Sequence, residues 1–235
     1  MVIAGKAFRV VETISIGSIA EKLSGYKSEQ PVEGSDLTLL TEIRDLITQQ
    51  DELSGTISRD VPVRLHKRGE LEVTFKTVDI PFLFKQRNTG MLLFVAERKP
   101  VANATANMFS SILFLSLGGV LNAEIPPKAL ESYHRKNPQG TKVMFFDGLE
   151  IPNLDKISLY GPSISDTPLY PTYVSQGSIW YVVITSSRYG YVVGITRDGV
   201  VTVFNTISVE DFLRFAKDEV FELIGQPGRQ TEPNE

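Results

Sequence analysis

Residues 190–205 read GYVVGITRDGVVTVFN. A three-residue loop at Arg197, Asp198 and Gly199 sets Thr196 opposite Val200, Ile195 opposite Val201, Val193 opposite Val203 and Tyr191 opposite Asn205. That register gathers four aliphatic side chains on one face. Glycine stands at the loop position where a type I turn with a bulge needs a positive φ. Turn chemistry and hydrophobic pattern agree, so the segment predicts an antiparallel hairpin.

Residues 60–76, DVPVRLHKRGELEVTFK, carry the same device. With Lys67, Arg68 and Gly69 as the loop, Leu65 faces Leu71, Val63 faces Val73 and Val61 faces Phe75, an apolar face throughout. The other face pairs Arg64 with Glu72 and His66 with Glu70, opposite charges across a solvated ladder. Antiparallel pairing is therefore the expected organising element of the chain.

The elements around these hairpins give an α+β reading: mostly antiparallel sheet packed by four to five helices. A capping-box pattern starts a short helix at Ser18, with Glu21 three residues on. Leu37, Leu40, Ile43 and Ile47 recur at helical spacing and predict an amphipathic helix over 36–50. Strands follow through 99, with Pro81 marking an edge or a bulge. Pro100 opens a helix of small and apolar residues, and Pro126 and Pro127 open another. Ser208 caps a last helix that Gly225 ends.

Residues 36–120 and 121–225 thus share one order, helix, strands, helix, and are expected to be two pseudo-repeated units. Residues 1–35 supply a strand and a short helix ahead of them. The polar run 226–235 reads as a disordered tail.

Composition bounds the function classes. The chain has 235 residues, of which 42% are hydrophobic and 22% charged, the balance of a globular protein rather than a disordered one. It has no cysteine, which excludes disulfides and thiolate metal centres. A formal charge of −4 weighs against attachment to DNA or anionic membrane by bulk positive charge. Lys6, Arg9 and Glu12 interrupt the first apolar run, so no secretory leader is read there and the expected location is cytoplasmic. Residues 100–123 are uncharged, but Asn103, Thr105, Asn107, Ser110, Ser111 and Ser116 make them a buried helix rather than a membrane span.

Catalytic signals are weak. His66 sits between Arg64 and Arg68 and reads as an ion-paired strand residue, and His134 as a cation near a helix end. Two distant histidines and no cysteine make a metal centre of that kind improbable, and no cofactor motif is present. Asp147, Glu150, Asp155 and Asp166 are the nearest approach to an acidic cluster. A pocket from Asp147 to Asp166, holding a small ligand or a metal-assisted reaction, is the alternative to the main expectation.

That main expectation is a non-catalytic binding protein. Six of the eight tyrosines and the single tryptophan fall within 160–191, a density suited to excluding water from a partner. Tyr170, Tyr173, Trp180 and Tyr189 are the expected partner contacts, on a sheet face and a Tyr/Pro-rich loop. Lys67, Arg68, Arg87, Arg188 and Arg197 occupy turns and are the candidates to contact phosphate. Another protein or a second copy is the expected partner, ahead of nucleic acid.

Overall fold

The structure, a computed structural model, describes residues 2–33, 35–137 and 140–225. The expected tail, 226–235, lies outside the described residues. The fold is α+β with antiparallel strands predominating. The chain divides into two compact units, one formed by Arg9–Leu121 and the other by Met1–Phe8 with Asn122–Glu235.

The Arg9–Leu121 unit holds helix α1 (Ile16–Leu23), strands β2 (Lys27–Pro31), β3 (Thr38–Gln49), β4 (Glu52–Lys67), β5 (Glu70–Arg87) and β6 (Gly90–Val95), and helix α2 (Lys99–Phe114). β1 (Ile3–Val10) leads into it and β7 (Val120–Asn122) leads out. Its strands form a simple meander in the order β2-β3-β4-β5-β6. The core is a triad of edge-to-face rings, Phe82, Phe84 and Phe109, with centroids 4.8 to 5.8 Å apart, which locks α2 onto β5. Gly55 lets Phe82 pass, since a Cβ there would lie 2.9 Å from the Phe82 ring and 2.8 Å from Leu46.

Three local readings are corrected here. Residues 36–50 form a strand, not a helix. Thr38, Thr41, Ile43, Ile47 and Thr48 are β-branched, and β3 finds ladder partners on both sides. A register shift between Arg44 and Ile47, with Asp45 at φ 54°, breaks its phase. Of the supposed helical stripe only Ile43 is buried, and Ile47 is 56% exposed. Helix α1 starts one turn earlier than read, capped by Ser15, whose hydroxyl accepts from Ser18 N–H.

The third correction concerns the hairpin at 60–76. Its loop has two residues, Arg68 and Gly69, both at positive φ, 53° and 91°. That is the turn whose twist suits a tight hairpin. Lys67 pairs with Glu70, so every pairing moves by one residue: Arg64 faces Val73, Val63 faces Thr74 and Pro62 faces Phe75. A one-residue slip redistributes both faces. The apolar row expected there does not form; Leu65 and Phe75 stay 49% and 42% exposed.

In the other unit the first hairpin holds as read. β11 (Val192–Thr196) pairs with β12 (Val200–Val203) through Val193 and Val203, and Ile195 and Val201, and all four are fully buried. The sheet order is β1-β12-β11-β10-β8-β9, with β8 (Thr141–Asp147), β9 (Ile157–Tyr160) and β10 (Ser178–Thr185). Helices α3 (Pro127–Lys136), α4 (Leu169–Gln176) and α5 (Val209–Phe215) belong to this unit. α4 occupies the middle of the segment read as a loop. α5 runs on through a π turn, Ala216–Val220, and one further turn, Phe221–Leu223. No helix among the described residues is long and apolar enough to cross a membrane.

Gly199 is fixed twice over. Its φ is 75°, and an added Cβ would meet the carbonyl oxygens of Ala123 at 3.1 Å and Ala7 at 3.2 Å. Gly69 also has a positive φ, but open space surrounds it. Gly199→Ala is therefore expected to cost about 1–3 kcal/mol of stability and Gly69→Asn under about 1 kcal/mol, read from urea midpoints at unchanged slope.

Candidate functional site

A half-open groove of about 1050 Å³ lies wholly within the Arg9–Leu121 unit. Its floor is a sheet face. Register pairs Ser28 with Thr41, Thr41 with Arg59, and Arg59 with Val78, one continuous row across β2, β3, β4 and β5. A second row runs beside it from Gln30 through Leu39, and Val61 pairs with Lys76. Directly paired residues project to the same face, so these side chains share one surface. Glu97, Arg98, Pro100, Val101 and Ala104, at the start of α2, form the wall.

The groove exists because the sheet is longer than its helix. Further along the same face, Ile57 and Ile80 are paired and buried in the core. Beyond the first turn of α2 the floor is uncovered. The volume lies at the upper end of small-molecule pockets, and the open side suits an extended segment at least as well.

Charge in the groove is balanced in number and unequal in availability. Arg59, Lys76 and Arg98 line it with Glu33, Asp60 and Glu97. Asp60 is occupied: one oxygen accepts from Leu40 N–H at 3.0 Å, the other from the Thr77 hydroxyl at 2.7 Å. Glu97 accepts from Arg98 N–H at 2.8 Å. No carboxylate among the described residues pairs with the side chains of Arg59, Lys76 or Arg98. Three cations are thus open to a partner.

The four expected aromatic contacts fall in different places. Tyr170 and Tyr173, on α4, turn inward. Tyr170 meets the His134 ring at 4.7 Å, and Tyr173 meets Phe146 at 6.0 Å. Tyr189 packs edge-on against Phe215 and donates its hydroxyl to Asp218 at 2.7 Å. Burial first, then that carboxylate, push its pKa up to about 12. Trp180 sits at a bulge in β10, on the sheet face opposite Val182 and Ile184, with Phe145 at 5.3 Å and Tyr181 at 6.0 Å. Tyr160, 68% exposed, extends this aromatic face through Phe145. The Trp180 indole nitrogen is buried with no hydrogen-bond partner among the described residues.

Within each unit the basic turns lie apart. Arg68 and Arg87 stand at opposite ends of the 18-residue strand β5, roughly 60 Å apart at the usual rise. The side chain of Lys67 lies outside the described residues. Arg188 is paired with Asp218 at 2.7 Å. Arg197 grips Asp147 with both terminal nitrogens, at 3.1 and 2.7 Å, from the opposite end of β11.

That fork occupies the first carboxylate of the acidic run 147–166. Among the described residues no three His, Asp or Glu side chains come together as metal ligands. At the other end of the run Ser165 meets His134, which is buried rather than a surface cation. The Thr141 hydroxyl contacts His134 Nδ1 at 2.7 Å and donates to the Asn137 carbonyl at 3.4 Å. The Ser165 hydroxyl lies 3.2 Å from Nε2, so each ring nitrogen has a hydroxyl within hydrogen-bond distance. Burial holds His134 below its ordinary value; Glu131 opposes that and Arg135 adds to it.

No protein-family model matches the chain, and no curated protein matches it.

A histidine with a lowered folded pKa takes up its proton more readily when unfolded, so its contribution to stability falls as pH drops below about 6.5. His134→Gln removes that dependence. The stability gap between wild type and variant is expected to narrow from pH 8 to pH 5 in urea titrations, and a constant gap would show His134 titrating alike in the folded and unfolded chain.

Proposed function

We propose that this chain is a non-catalytic, cytoplasmic binding module whose sheet groove receives an extended segment of another protein, apolar along its length and bearing carboxylates. One observation carries the reading: an uncovered floor spanning four strands, edged by Arg59, Lys76 and Arg98 with no carboxylate on their side chains. Val61, Val78, Val101 and Pro100 offer apolar contact, and the three cations select the sign of the partner's charge. A groove of this kind gains more from a protein segment than from a phosphate polymer, because Glu33 and Glu97 would repel a continuous line of negative charge.

The aromatic face around Trp180, which Tyr160 extends toward solvent, is a second contact area in this reading. The inward tyrosines of α4 leave the Tyr/Pro segment to contribute through Leu169, exposed at the start of that helix. An internal duplication enters this reading only coarsely: with 36–50 a strand the helix ahead of the first unit's strands is α1, α4 interrupts the strands of the other unit, and β9 lies outside β8 where the first sheet is sequential.

The test is fluorescence anisotropy with dye-labelled peptides of about ten residues that alternate leucine or valine with glutamate, against the same design carrying lysine. The acidic peptide is expected to bind wild type, and Arg59→Glu with Lys76→Glu to weaken it by at least about tenfold. Equal binding of the basic peptide, or no effect of the substitutions, overturns the reading. Tighter binding of a single-stranded oligonucleotide, falling steeply with salt, reassigns the groove to nucleic acid.

A further inference from the structure

β4 and β5 continue past their neighbours. β3 pairs with β4 as far as Arg59, and β6 with β5 as far as Phe82. Eight further pairs, from Asp60 with Thr77 to Lys67 with Glu70, form a two-stranded ribbon that projects roughly 25 Å at the usual rise. A two-stranded ribbon is marginal alone in water. This one leaves Leu65 and Phe75 substantially exposed.

The two open sides of the ribbon differ. Pro81 C=O accepts from Ala96 N–H at 2.9 Å, so residue 81 points its backbone groups away from β4. Alternation along an unbroken ladder gives the same direction to residues 79, 77, 75 and 73. Pro62, opposite Phe75, likewise turns its nitrogen outward, and its missing N–H blunts the free side of β4. The free side of β5 has no such block from Val73 to Thr77, and among the described residues no strand pairs with it there.

We infer that this edge of β5 joins the same edge of a second copy, making a four-stranded sheet across a two-fold axis. The occupant follows from the strand's own sequence. An antiparallel pair centred on Thr74 sets Val73 against Phe75 of the second copy and Glu72 against its Lys76, each contact made twice by symmetry. Aromatic against β-branched and opposite charges face to face are the favoured cross-strand pairs. Residues 73 and 75 are both outward-facing, so this register also matches donors to acceptors. Lys76, which would otherwise guard the edge against pairing, stands opposite Glu72 of the second copy in this register.

The full-length chain, followed by analytical ultracentrifugation from sub-micromolar to about 100 μM, is expected to dimerise. Val73→Pro deletes an outward N–H without touching the β4–β5 ladder, as Pro62 already does on the other strand. It should weaken dimerisation at least about tenfold with the unfolding midpoint of the monomer retained. Glu72→Lys and Lys76→Glu should each weaken it, and the double variant should restore it, a recovery that misfolding cannot imitate. A monomer throughout the range, a dimer indifferent to Val73→Pro, or no recovery in the double variant overturns the inference. The groove reading stands or falls separately, because peptide binding is measured on the monomeric Val73→Pro protein as well.

Discussion

The constraint on which the Arg9–Leu121 unit depends is the register of one ladder, the sixteen pairs between β4 and β5. A two-residue turn at Arg68 and Gly69 sets it at one end, and the packing of Phe82 and Phe84 against Phe109 holds it at the other. No bulge interrupts it. Side-chain direction is therefore determined over the whole length, which brings Arg59, Val61, Lys76 and Val78 to one face. The same phase decides which backbone groups of the ribbon look outward. Groove and open edge are two consequences of a single pairing.

The other unit is governed by close approach instead of length. Gly199 admits the carbonyls of Ala7 and Ala123 to a space that a methyl group would fill, and Ala7 N–H donates to Gly199 C=O at 2.9 Å. Lys6, fully buried beside this turn, gives its ammonium to Asn122 Oδ1 at 2.7 Å and lies 5.1 Å from the Phe8 ring centroid. A buried charge keeps its place only with such partners. The contacts of α3, α4 and α5 engage groups on or beside the buried sheet face, which leaves Phe145, Trp180 and Tyr181 on the opposite face, half-buried.

The proposed reading rests on surfaces and not on reaction chemistry. The Ser165 hydroxyl contacts His134 Nε2, yet Thr141 and Tyr170 enclose the ring on its other sides, and Asp147 is held by Arg197. Cations without carboxylates, apolar floor residues and an unblunted strand edge are instead the ordinary requirements of association. Neutralising charge in one place while leaving it free in another separates scaffold from contact.

What the sequence by itself determined was local: the β11–β12 hairpin from its glycine and its four aliphatic residues, α2 from Pro100, the cap at Ser208, and antiparallel sheet as the dominant element. Each of those rests on interactions between residues near in the chain. Tertiary structure alone decided that 36–50 is a strand, because its apolar spacing suits a helix and only neighbours on both sides supply the ladder that overrules it. The β4–β5 phase was decided likewise, since Lys67-Arg68-Gly69 accommodates a two- or a three-residue loop and distant core packing selects one. The groove was illegible for that reason: its floor needs β2 and β3 to be strands and Arg59 to share a face with Val78, and both facts come from pairings far apart in sequence. Tyrosine density could not give the direction in which Tyr170 and Tyr173 point, which depends on a helix, α4, stabilised by the core it packs against and not by its own residues.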